Sequence, residues 1–82
     1  MKVKVEVTAK DIKNGRRCDP NACPIALAAK RATKGRIIRA LDNFFRLNDE
    51  STLPHSLKRV AKFIQNFDSS KPVKPFSFTI SI

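Results

Sequence analysis

Apolar positions along this chain follow two periods. At the start, Val3, Val5 and Val7 alternate with Lys2, Lys4, Glu6 and Thr8. A period of two with β-branched residues predicts a half-buried strand. Lys10–Gly15 follows, and its Asn14-Gly15 pair marks a turn. Arg16–Asn21 reads as a polar loop that closes on Asp19-Pro20-Asn21. The period then changes. Ile25, Ala28, Ala29 and Ala32 form one helical stripe with Leu27 beside it. Asn21 or Cys23 can cap this helix, and Pro24 suits its first turn, where a missing N–H has no helical partner. Lys30, Arg31 and Lys34 sit in and past its last turn, where the helix dipole favours cations, and Gly35 ends it.

Arg36–Leu47 supports two readings. Ile37, Ile38, Leu41, Phe44 and Phe45 share one helical face, opposite Arg39, Asp42, Asn43 and Arg46. The same residues also form a hairpin, Arg36–Leu41 and Phe44–Asn48 about a turn at Asp42-Asn43. Periodicity alone favours the helix, but it discriminates poorly over short apolar segments. Asn48–Thr52 is a loop, and Leu53-Pro54 predicts the start of another helix with Ser51 or Thr52 near its cap. Leu57, Val60, Ala61, Ile64 and Phe67 supply its apolar stripe, with Lys58, Arg59, Lys62 and Gln65 facing away. Lys71–Pro75 is an extended connector, because residues before proline avoid the helical region. Phe76, Phe78, Ile80 and Ile82 alternate with Ser77, Thr79 and Ser81, which predicts a final strand.

The 82 residues fit a single domain, 1–82, with a modest core. Hydrophobic residues at 41% and charged residues at 29% match a globular chain rather than a disordered one. No apolar run approaches the ~18 residues of a membrane span, and the alternating start is not a secretory signal. The expectation is a cytoplasmic protein with Cys18 and Cys23 reduced. Seventeen Lys and Arg against seven Asp and Glu leave a net charge of +10. That exceeds the magnitude of roughly 2–8 that solubility alone asks of a small domain, and it favours polyanionic partners.

Catalytic chemistry has little support in the spacing. Cys18 and Cys23 stand as Cys-x4-Cys with His55 far off, so three plausible ligands face a structural zinc site that wants four; no metal or other cofactor is expected. Cys23 at a helix start has a route to a lowered pKa but no base near it in sequence, and a small buried cap is the plainer reading. His55, placed in the first turn of the second helix, reads as an exposed, pH-sensitive surface residue. With only Gly15 and Gly35, no phosphate-cradling loop exists. The chain is read as non-enzymatic.

Asp11-Ile-x-x-Gly15 leading into Cys23-Pro-Ile-Ala-Leu-Ala28, followed by Leu53-Pro54, Phe63-Ile-x-x-Phe67-Asp68 and Val73-x-Pro75-Phe-Ser-Phe78, resembles a family of small, largely uncharacterised proteins of bacteriophages and prophages. The likeness spans most of the chain and is weakest between Gly35 and Leu53. It carries no catalytic or binding residue, but it implies strands rather than helix ahead of Leu53-Pro54. The expected fold is therefore α+β with the order βαββαβ, a ferredoxin-like split βαβ pattern. A four-stranded antiparallel sheet would carry both helices on one face. Failing the hairpin, a two-stranded sheet beneath three helices results.

Arg16, Arg17, Lys30, Arg31, Lys34, Arg36 and Arg39 gather about the first helix and are expected to meet nucleic-acid phosphates with little base specificity. Lys58, Arg59 and Lys62 read as a solvated helix face. On a hairpin, adjacent Phe44 and Phe45 point to opposite sides, so one of them faces the open sheet surface. That surface suits stacking, a homodimer contact or the alternative reading, docking on an acidic host protein with Phe44 or Phe45 as anchor. The resemblance alone implies the latter mode.

Overall fold

The computed structural model describes residues 2–82. The alternating start forms β1 (Lys2–Val7), with Val5 and Val7 buried. Directly after it comes a helix where a turn was expected, α1 (Ala9–Asn14). Its start is a capping box. The Thr8 hydroxyl accepts from the Asp11 N–H, and the Asp11 carboxylate accepts from the Thr8 N–H at 2.9 Å.

The next helix, α2 (Pro24–Ala32), opens as expected, with Pro24 in its first turn and the Cys23 sulfur accepting from the Ala26 N–H at 3.4 Å. Ile25, Ala26, Ala28 and Ala29 are fully buried. The helix packs on β1 on one side and on β2 (Ile37–Ala40) on the other, and its alanines let both backbones approach. It ends in a Schellman motif: Gly35 N–H donates to the Lys30 carbonyl at 2.9 Å, and Lys34 takes the left-handed conformation at φ 53°. Thr33 joins the exit to β2, donating to Ala29 and accepting from the Ile37 N–H.

Residues 36–47 fold as the hairpin, β2 and β3 (Phe44–Leu47), closed by a Leu41 N–H to Phe44 carbonyl bond. A third strand, β4 (Thr52–Pro54), then pairs with β3 where a helix start was expected. Pro54 lacks an N–H, and a strand edge tolerates this. The helix begins later, as α3 (Lys58–Asp68), and the connector delivers β5 (Phe76–Ser81) antiparallel to β1.

The fold is thus α+β, but the four-stranded sheet is replaced by two antiparallel sheets, β1–β5 and β2–β3–β4, with three helices. β3 uses its second edge to pair with β4 rather than with β1. The sheets share one core. Phe45 of β3 lies parallel to Phe78 of β5 with ring centroids 6.2 Å apart, and Val60, Phe63 and Ile64 of α3 close it.

Asp11 ties the first three elements together. Its carboxylate receives two bonds of 2.8 Å from the Arg31 guanidinium, which also donates to the Glu6 carbonyl at 2.9 Å. The Asp11 side chain is 6% exposed and that of Arg31 is 54% exposed. The Arg31 bonds hold the Asp11 carboxyl below the usual carboxylate range, against the opposing effect of burial. Because the folded chain binds that proton more weakly than the unfolded chain, the contribution is complete at neutral pH. It is lost as pH falls below the unfolded value of about 4 and through the folded one. Arg31→Ala, which strands a buried carboxylate, should cost about 3 kcal/mol by denaturant unfolding at pH 7, and less when the unfolding is repeated in acid.

Gly15 is fixed by space rather than by dihedral freedom. A Cβ there would lie 2.5 Å from Pro24 Cδ and 2.8 Å from the Pro24 nitrogen. Pro24 is rigid and buried, so it cannot yield. Gly15→Ala should therefore destabilise by about 1–3 kcal/mol, read as a lowered denaturation midpoint at unchanged slope.

Candidate functional site

The seven basic residues singled out around α2 divide into two groups. Arg31 engages both terminal nitrogens within the fold. Lys30 donates its ammonium to the Asn21 carbonyl at 3.0 Å, and Arg17 donates to the Ser70 hydroxyl at the end of α3. Arg31 thus joins α2 to α1 and β1, while Lys30 and Arg17 brace loops. Arg16, Lys34, Arg36 and Arg39 are exposed.

Arg39 acquires a neighbour that sequence spacing did not indicate. A β-bulge falls between Ile37 and Arg39, so that Ile37 pairs with Leu47, Arg39 with Arg46, and Ala40 with Phe45. Ile37, Ala40 and Phe45 are buried, which places Arg39, Arg46 and Phe44 together on the outer face. Thr52 and Pro54 of β4 continue that face and are exposed. Like charges directly opposite each other weaken a sheet. Among the described residues neither arginine has a carboxylate within ion-pair distance. Arg46 donates to the Glu50 carbonyl at 3.2 Å, yet its Nε is buried without an acceptor. The result is a pair of guanidinium groups, one of them partly desolvated, beside a half-buried aromatic ring.

Phe45, by contrast, is fully buried, at 0% exposure, and offers no surface to a partner. His55 is also not where the sequence placed it. It lies ahead of α3, half-buried, with its ring 4.6 Å from that of Phe45. Its Nδ1 accepts from the Leu57 N–H at 3.1 Å, which leaves Nε2 to donate to the Leu41 carbonyl at 3.1 Å. His55 therefore latches the hairpin turn to the start of α3.

A concavity of about 500 Å³ lies between the Cys18–Cys23 turn, the hairpin turn and α3, and it gathers Asp19, Asp42 and Asp68 with both cysteines. Two of its acids close the backbone and the third meets a side-chain amide. Asp68 accepts from the Cys18 N–H, Asp19 from the Asn21 N–H, and Asp42 from the Gln65 amide. Among the described residues no three His, Cys, Asp or Glu converge as metal ligands. Burial pushes the Cys23 thiol up, away from the thiolate that a nucleophile requires.

Phe45→Ala should cost about 3–5 kcal/mol in unfolding free energy, because it empties a ring-sized volume between the two sheets. Phe44→Ala, on the outer face, should cost roughly 1 kcal/mol or less. Among the described residues no helix is long and apolar enough to cross a membrane. No family model matches the chain, and neither the curated proteins nor the solved structures contain one similar to it.

Proposed function

We propose that this protein is a small non-enzymatic accessory domain, of the phage type its motifs resemble, that binds nucleic acid by its backbone phosphates. The observation that carries this reading is the opposed Arg39–Arg46 pair on the outer face of β2–β3–β4. In the free protein two facing guanidinium groups repel each other. A phosphate between them converts that repulsion into two charge-assisted contacts, and the planar fork of arginine suits its oxygens. The half-buried Phe44 ring lies on the same face for an unpaired base to rest against. Exposed Arg16, Lys34 and Arg36 add to a net charge of +10, which draws a polyanion in before contact. Contacts of this kind position the backbone and read little sequence.

Binding to a labelled single-stranded oligonucleotide, followed by fluorescence anisotropy across a salt series, tests the reading. Log affinity should fall steeply with log salt, and the slope should shrink by about 0.7 for each of Arg39→Gln and Arg46→Gln. An affinity that stays level between low and moderate salt, or a double variant that binds like the parent, would remove it.

A further inference from the structure

α3 and the connector before β5 line a groove of about 260 Å³ that shares no residue with the Arg39–Arg46 face. Phe63, Val73 and Phe76 form its floor, and Arg59, Lys62 and Lys74 stand at its rim. Across Pro72-Val73 a second concavity of about 340 Å³ continues it, adding Phe67 to the floor and Arg17 and Lys71 to the rim. No carboxylate lines either hollow.

The helix that builds this groove is charged against its own dipole. Its first turn carries Lys58 and Arg59 and no acid, and Leu57 gives it no side-chain cap. Cations belong at the opposite end of a helix, so this placement works against the isolated fold. A negatively charged partner at the groove would offset it.

The aromatic floor narrows the class of partner. Arg59 lies over the Phe76 ring at 5.0 Å, and the Phe63 ring packs between those of Phe76, at 5.2 Å, and Phe67, at 6.2 Å. Arg59 thus covers one side of the Phe76 ring and Phe63 is itself buried, which leaves Val73, Pro72 and the exposed remainder of Phe76 to meet a ligand. Such a floor accepts an aliphatic side chain better than a stacked base.

We infer that this groove docks an acidic polypeptide segment of a partner protein, with an aliphatic side chain anchored on Phe63, Val73 and Phe76 and its carboxylates paired to Arg59, Lys62 and Lys74. The surface is separate from the Arg39–Arg46 face, so either stands if the other fails.

The probe is a labelled glutamate-rich peptide with a central Leu-Leu pair, compared with the same peptide carrying Ser-Ser. The leucine peptide should bind about tenfold tighter or more, and should shift the backbone amides of Phe63, Asn66 and Val73 in nitrogen–proton spectra. Lys62→Glu with Lys74→Glu, both at exposed positions, should weaken it by at least about tenfold, whereas Arg39→Gln with Arg46→Gln should leave it unchanged. The peptide comparison uses the parent protein, so it decides the matter even if the double-glutamate variant fails to fold. Equal binding of the two peptides, shifts confined to other amides, or displacement of the peptide from these amides by a thymidine oligonucleotide would overturn the inference. The last outcome would give the groove to nucleic acid.

Discussion

The architecture depends on one buried carboxylate. Asp11 closes the first turn of α1 through Thr8 and receives the forked guanidinium of Arg31, which reaches on to the Glu6 carbonyl at the end of β1. A single charge thereby fixes the mutual placement of β1, α1 and α2. The pair need not add much net stability over an apolar substitute, because burying the Asp11 carboxylate costs it water while Arg31 stays half exposed. Its value lies in direction: two parallel bonds of 2.8 Å permit one approach of α2 to α1. Arg31 is consequently committed to the fold, although by sequence position it belongs with its basic neighbours.

With that pair set, the first two turns of α2 can lie largely inside the fold. Cys23 turns its sulfur into the helix start, Pro24 packs beneath Gly15, and Ala26, Ala28 and Ala29 admit the backbones of two separate sheets. Asp11, Gly15, Cys23 and Pro24 each have a packing or bonding reason to be what they are.

The two strands of plain alternation, β1 and β5, and the proline-capped α2 were readable because one period runs unbroken through each. Residues 36–47 were ambiguous for a physical reason. The bulge at Ile38 resets the phase of β2, so Ile37 and Ala40 both point inward three residues apart, and a strand acquires a helical spacing. The same bulge decides that Arg39 faces Arg46, which strict alternation could not reveal. Two elements carry signals that need the structure to read. Thr8-x-x-Asp11 is the capping pattern that starts α1, and Asn14-Gly15 lies at that helix's end. Pro54 suits a helix start as well as a strand edge, and only the pairing of β4 with β3 chooses between them. His55 moved with that choice, from a helix turn to the latch beneath Phe45. The sheet division was not legible, since it depends on which edge of β3 is occupied.

The positive surface follows from where the acids go. Asp19, Asp42, Asp49 and Asp68 accept from Asn21, Gln65, Ser51 and Cys18, closing turns or joining elements, while Asp11 serves α1 and Arg31. Carboxylates engaged this way sit at element ends and leave the long faces uncompensated. On β2–β3 this leaves two arginines facing each other, and on α3 it leaves lysine and arginine in a first turn that favours acids. Net charge by itself could be dispersed so that no region repels strongly. Here like charges are concentrated at two places, each beside an aromatic side chain only partly buried, Phe44 at one and Phe76 at the other. A fold whose only requirement was solubility would gain stability by exchanging one member of each cluster for glutamate. Their position next to half-buried Phe44 and Phe76 is what supports the two proposed anion-facing surfaces, and Arg59 lying over Phe76 is what distinguishes the second floor from the first.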